Sequence, residues 1–218
     1  MNEILNSIRN NAIAIGLFAI VTSAVIAFTQ LATKEKISHN KAEFQARALF
    51  EIVPKSLDPD LVEHKLTMKA PELGQDEPIE VYQAIQDGKV VSVLMPVIAP
   101  EGYSGDIEML VGINADSSLA GVRVLSHKET PGLGDKIELS KSDWILSFDD
   151  QEMAMSGDDS WAVKKDGGRF DQFTGATITP RAIVGATARA IEFFRAHREY
   201  LLTPVTAQAQ PTAAGVTQ

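Results

Sequence analysis

The spacing of apolar positions divides the chain into segments of different character. Residues 12–32 (AIAIGLFAIVTSAVIAFTQLA) carry no charge and show no polar face, which predicts a helix that is apolar on all sides. At ~1.5 Å per residue this run is about 30 Å long, the thickness of a bilayer's hydrocarbon core. Thr22, Ser23 and Thr29 can return their hydroxyls to carbonyls of the preceding turn, so they do not interrupt the span. A cleaved signal peptide would have a shorter apolar run, roughly 7–15 residues, followed by an A-x-A-like site. Here Ala12-Ile13-Ala14 stands at the start of the run, so a retained anchor is expected. From 33 to 53, Ile37, Phe44, Leu49 and Phe50 recur among charged residues, predicting a helix that leaves the membrane and stops before Pro54.

Residues 54–78 hold Pro54, Pro59, Pro71, Gly74 and Pro78 and read as loop and short pieces. Four β-branched, apolar runs follow at 79–86, 89–98, 107–114 and 119–127. Asp87-Gly88 is a two-residue hairpin signal, and 114–118 (NADSS) is a second turn, so a meander of antiparallel strands is expected. Pro96 cannot donate to a ladder, which puts its strand at an edge or marks a bulge. A mixed stretch with Trp144, Ile145, Phe148 and Trp161 reads as short helix and loop. Over 180–200, Ile183, Ala186, Ala190, Ile191 and Phe194 return at helical spacing. The predicted organisation is an N-terminal segment (1–11), a transmembrane helix (12–32), a helix and linker (33–78), a folded domain (79–202) and a disordered tail (203–218). The class is α+β: an antiparallel sheet with a C-terminal packing helix, tethered by one membrane helix.

Composition narrows the functions open to this frame. A formal net charge of −9 and no Lys/Arg-rich block argue against nucleic-acid binding. With no cysteine, the chain forms no disulfide, thiolate zinc site or Cys-ligated iron–sulfur cluster of its own. Arg9 precedes the span while Lys34, Lys36, Lys41 and Arg47 follow it; this count leans towards a cytoplasmic domain, but it loses force beside a long domain. His39, His64, His127 and His197 show no metal-ligand spacing. No nucleophile elbow, Walker loop or dinucleotide fingerprint is present, and Asp149-Asp150 and Asp158-Asp159 read as solvated loop acids. No catalytic residue and no metal site is expected.

Two glycine loops remain. In 127–134 (HKETPGLG), Pro131-Gly132 fits the centre of a type II turn, and Gly134 permits a close backbone approach; the loop is an ordinary turn or a ligand loop. In 171–181 (DQFTGATITPR), Thr179 is a good N-cap and Pro180 a good first helical residue. Free amides and the positive end of the helix dipole there suit a phosphate, and Gly175 and Ala176 leave room for it to approach the main chain. The bland alternative is that Thr174 and Thr177 only cap and turn.

The run DQFTGAT (171–177) resembles the D-x-x-(S/T)-G-A-T motif of FMN-binding domains, in which the last Thr carries FMN through a phosphoester. GVRVLSHKETPGLGDKI (121–137) resembles the H-x-E-T-P-G-L-G region of the same domains. With one N-terminal anchor and both motifs in this order, residues 1–200 are similar to the G-subunit family of Rnf/Rsx ion-translocating electron-transport complexes. The paralogous C-subunit family of the sodium-translocating NADH:quinone reductase shares these elements but is usually longer. The resemblance implies that Thr177 is the FMN acceptor, esterified by a separate flavin transferase that uses FAD. Asp171, Thr174, Gly175 and Ala176 match the other motif positions, and Thr130, Gly132 and Leu133 match the loop near the flavin. It also implies the other subunits of the complex as partners. The location implied is a bacterial inner membrane crossed once, with the domain in the periplasm, against the charge count. The rival from another class is a membrane-tethered binding or sensory module that holds a small ligand without a covalent bond; a purely structural component is a third possibility.

Overall fold

The computed structural model describes residues 2–205 and divides into two compact units, Met1–Phe44 and Gln45–Gln218. The first unit is helix. α1 (Asn2–Ile52) runs through it without a break and continues into the second unit. Thr22 Oγ1 donates to Phe18 O (2.9 Å) and Thr29 Oγ1 to Val25 O (2.8 Å), as an apolar surrounding would demand. The helix is long and apolar enough to cross a membrane, and none of its apolar window is buried within the protein.

The second unit is built on a meander. β1 (Lys65–Met68), β2 (Ile79–Gln86), β3 (Lys89–Ala99), β4 (Ile107–Asn114) and β5 (Leu119–Ser126) pair antiparallel in chain order. Asp87 and Gly88 both have positive φ (51° and 73°), the geometry that an Asp-Gly hairpin turn supplies. β1 lies in the stretch whose sequence reads as loop and short pieces; its four residues are too few to show a period. Its register, Leu66↔Val81, comes from tertiary pairing. Pro96 lies on the central strand rather than on an edge strand, but the β2 partner register ends at Tyr82↔Leu94. Pro96 is therefore paired only with β4, at Leu110, and its carbonyl accepts from Gln75 Nε2 (2.9 Å). The missing amide falls where the ladder needs none.

Alternation puts two sets of side chains on the two faces of the sheet. Val81, Val93, Met95, Val97, Met109, Val111 and Ile113 pack with α2 (Ile178–Ala196) and the 128–173 connector in the main core. α3 (Arg198–Leu201) adds the buried Leu201. On the opposite face Tyr82, Ala84, Leu94 and Leu110 are covered by Ala48, Leu49, Ile52 and Val53, the end of α1 and the residue after it, with Leu61. Gly112 makes that cover possible, because a Cβ there would lie 2.7 Å from Ile52 Cγ2. Thr203 and Val205, placed by sequence in a disordered tail, are held by one buried side chain: Gln83 donates to Thr203 O (2.9 Å) and accepts from Val205 N (2.8 Å). The remainder of that tail, 206–218, lies outside the described residues.

Candidate functional site

α2 starts in an unusual way. Arg181 N–H donates to Thr177 O (3.3 Å), which makes Thr177, not Thr179, the N-cap residue. Pro180 follows as the third helical residue, where the amide it lacks would have had no partner within the helix. Thr177 does not use its side chain as a cap, and its hydroxyl makes no hydrogen bond among the described residues. The amides of Thr177, Ile178 and Thr179 also have no partner among the described residues. One free hydroxyl therefore sits beside three free N–H groups at the positive end of a nineteen-residue helix.

The residues before it form a turn that displays this hydroxyl. Ala176 N–H donates to Phe173 O (3.1 Å), and Gly175 between them has φ = +84°, the left-handed value a type II turn requires at its third position. Phe173 is buried, and Trp144 packs edge-on to it at 5.1 Å. The Trp144 indole N–H donates to Asp171 O (2.7 Å), while Lys164 pairs with the Asp171 carboxylate at 2.6 Å. One turn into α2, Arg181 grips Asp166 with two bonds of 2.7 and 3.0 Å and holds that carboxyl below the usual range.

The second glycine loop faces the first. Leu133 N–H and Gly134 N–H both reach Thr130 O (3.1 Å each), and Gly132 has φ = +80°, so Pro131-Gly132 forms the expected type II turn. Asp135 accepts from Gly132 N–H at 2.8 Å. His127 fixes the loop's entry: its Nδ1 accepts from Glu129 N–H (3.0 Å) and its Nε2 donates to Glu138 Oε1 (2.7 Å). Burial alone would raise the Glu138 carboxyl, but the bonds from His127 and Ser140 outweigh it and hold the group below its usual range. Leu133 Cδ2 comes within 3.6 Å of where a Gly175 side chain would begin, so the two loops meet.

Between them lies an open cleft of about 370 Å³. Thr130, Leu133, Gly175, Ala176 and Thr177, singled out from the sequence, all line it. Asp171, Thr174 and Gly132 do not: Asp171 and Thr174 are exposed, and Gly132 shapes its own turn. Sequence reasoning missed Tyr103, Ile178 and Glu129 as parts of the wall. Glu129 lies inside the H-x-E-T-P-G-L-G run, so a signal for it existed; Tyr103 and Ile178 carry no local mark. Tyr103 (69% exposed), Leu133 (43%) and Ile178 (43%) give the cleft an apolar rim.

Comparison with known proteins identifies this architecture. Residues 102–192 match the FMN-binding domain family, and residues 1–52 match the RnfG N-terminal region. The G subunit of the ion-translocating oxidoreductase complex of Shewanella loihica is 46% identical over 207 residues, 94% of this chain and 98% of that protein. The protein of the same name from Pseudomonas aeruginosa is 46% identical over 200 residues, 91% and 94% of the two chains. That of Pseudoalteromonas atlantica is 43% identical over 198 residues, 90% and 92%. At this identity along nearly the whole length, the chain belongs to the G-subunit family of ion-translocating oxidoreductase complexes.

Proposed function

We propose that the chain is the membrane-anchored electron carrier of an ion-translocating oxidoreductase complex, with FMN joined to Thr177 by a phosphoester. The observation that carries this reading is the Thr177 hydroxyl, which lines the cleft without a partner among the described residues, beside three unpaired amides. A phosphate esterified at that oxygen would meet those donors and the positive end of α2. The rest of the cleft fits the group as well. Gly175 leaves the main chain approachable, and Tyr103, Leu133 and Ile178 offer apolar walls to a flat ring. The cleft volume of about 370 Å³ lies in the range of small-molecule sites. FMN supplies reversible uptake and release of electrons; the chain's own part is to bind the ring, orient it and limit water around it.

In this reading the exposed Asp171 and Thr174, with Gly175 and Ala176, present the acceptor loop to a flavin transferase that uses FAD, while Thr130, Gly132 and Leu133 shape the wall opposite. α1 fixes the chain in a bacterial inner membrane with the domain in the periplasm, where the covalent link keeps a flavin that no local pool would replace. The other subunits of the complex supply and accept the electrons. The test is intact mass and in-gel flavin fluorescence after co-expression with the transferase. The wild-type chain should gain the mass of FMN less water and fluoresce after denaturation. Thr177→Ala should do neither while retaining its thermal transition. Flavin retained on Thr177→Ala, or a wild-type chain of unmodified mass, would overturn the assignment.

A further inference from the structure

We infer that Glu129 is a positioning residue for the Thr177 hydroxyl, acting through Thr179; the inference rests on Thr177 being the flavin acceptor. Its starting point is the uncapped helix. A threonine N-cap ordinarily fixes the first turn by accepting from a following amide. Here that side chain makes no such bond, so the start of α2 must be held by something else.

The buried Glu129 supplies it. Only 4% of the residue is exposed, and no cation pairs with its carboxylate among the described residues. One oxygen accepts from Ser104 N–H at 2.8 Å. The other accepts a hydrogen bond from the hydroxyl of Thr179, which is fully buried. Three segments far apart in sequence are thus tied at one carboxylate: the loop that carries Tyr103, the H-x-E-T-P-G-L-G loop, and the first turn of α2. Gly134 lets them close, since a Cβ there would lie 2.8 Å from Glu129 Oε2 and 3.0 Å from Thr179 Oγ1. Tying Thr179 fixes the backbone of the turn that begins at Thr177, and leaves the Thr177 side chain free for chemistry. The two hydroxyls divide the labour: one is committed to the tie, the other is displayed.

The experiment measures transfer of FMN from FAD to the full-length chain in detergent by a flavin transferase, with chain concentration varied to separate kcat from KM. In that step the Thr177 oxygen loses its proton and bonds to phosphorus as AMP leaves. Glu129→Ala and Thr179→Val should each lower kcat by roughly 10- to 100-fold, the scale of a misplaced reacting group, with KM changed by less than about threefold. The double variant should be no slower than the slower single, because both changes cut the same tie. Glu129→Gln and Thr179→Ser should stay within about threefold of wild type, since each can still make both bonds or the one required. Thr179→Val conserves shape, so a folded chain is available even if Glu129→Ala unfolds. Wild-type kcat in a folded Thr179→Val chain, or additive effects in the double variant, would overturn the inference. Failure of the wild-type chain to accept flavin, or modification of Thr177→Ala, would instead overturn the acceptor assignment on which it rests.

Discussion

At Gly134 even a methyl group would have to enter space already held by Glu129 and Thr179. Gly134→Ala should therefore lower the unfolding free energy by about 1–3 kcal/mol, the usual penalty for overpacking, as urea denaturation would measure. A second residue-scale effect concerns acid. Glu138 has a folded pKa below its unfolded value, so its contribution is present above about pH 4.5 and disappears as pH falls through the lower folded value. Glu138→Gln should thus lower stability at pH 7, by under about 1 kcal/mol for so exposed a carboxylate, and lower it by less at pH 3. Thermal melts at the two pH values would show it. The Thr-Ile-Thr-Pro run explains why the sequence misplaces the cap. Thr179 followed by Pro180 matches the usual N-cap and first-position preferences, yet a proline is tolerated anywhere in the first turn, where amides lack helical partners. Which threonine turns inwards depends on Glu129, fifty residues earlier in the chain. No local pattern contains that.

At the scale of elements, the β-branched, apolar runs from Ile79 to Ser126 and the helical repeat of Ile183, Ala190 and Phe194 were legible because their apolar positions are buried in the core. β1 was not: KLTM offers a single buried position, Leu66, and its pairing comes from β2. Pro96 was legible as a ladder gap but not as part of a central strand, since a sequence does not say where the neighbouring strand stops. The turn at Pro131-Gly132 was legible from its residues; its contact with the Gly175 loop through Leu133 was not. α2 both packs the core and begins at the cleft with Thr177, so its buried face can be weakened without touching the cleft. Phe194→Ala, at a fully buried position, should cost about 3–5 kcal/mol in unfolding free energy. At temperatures where it remains folded, its flavin content by intact mass should match wild type, because the cleft is lined at the other end of the helix.

At the scale of the whole molecule, the end of α1 is part of the second unit's own fold. Ala48, Leu49 and Ile52 belong to the core of the second unit although they continue α1. A chain beginning at Gln45 should therefore unfold cooperatively in a urea titration. One beginning at Pro54 should lose at least the about 2–5 kcal/mol that removing a single buried leucine costs, because Tyr82, Leu94 and Leu110 lose their cover. The cleft carries a different consequence. Tyr103, Leu133 and Ile178 form an apolar rim open to solvent, and under the proposed reading the flavin ring covers it. Chaperones and proteases, which recognise exposed apolar surface, then meet one surface before loading and another after it. In a pulse-chase experiment Thr177→Ala should decay faster than wild type despite an unchanged thermal transition. The standing amount of the protein in the membrane would follow the supply of flavin as well as the rate of synthesis.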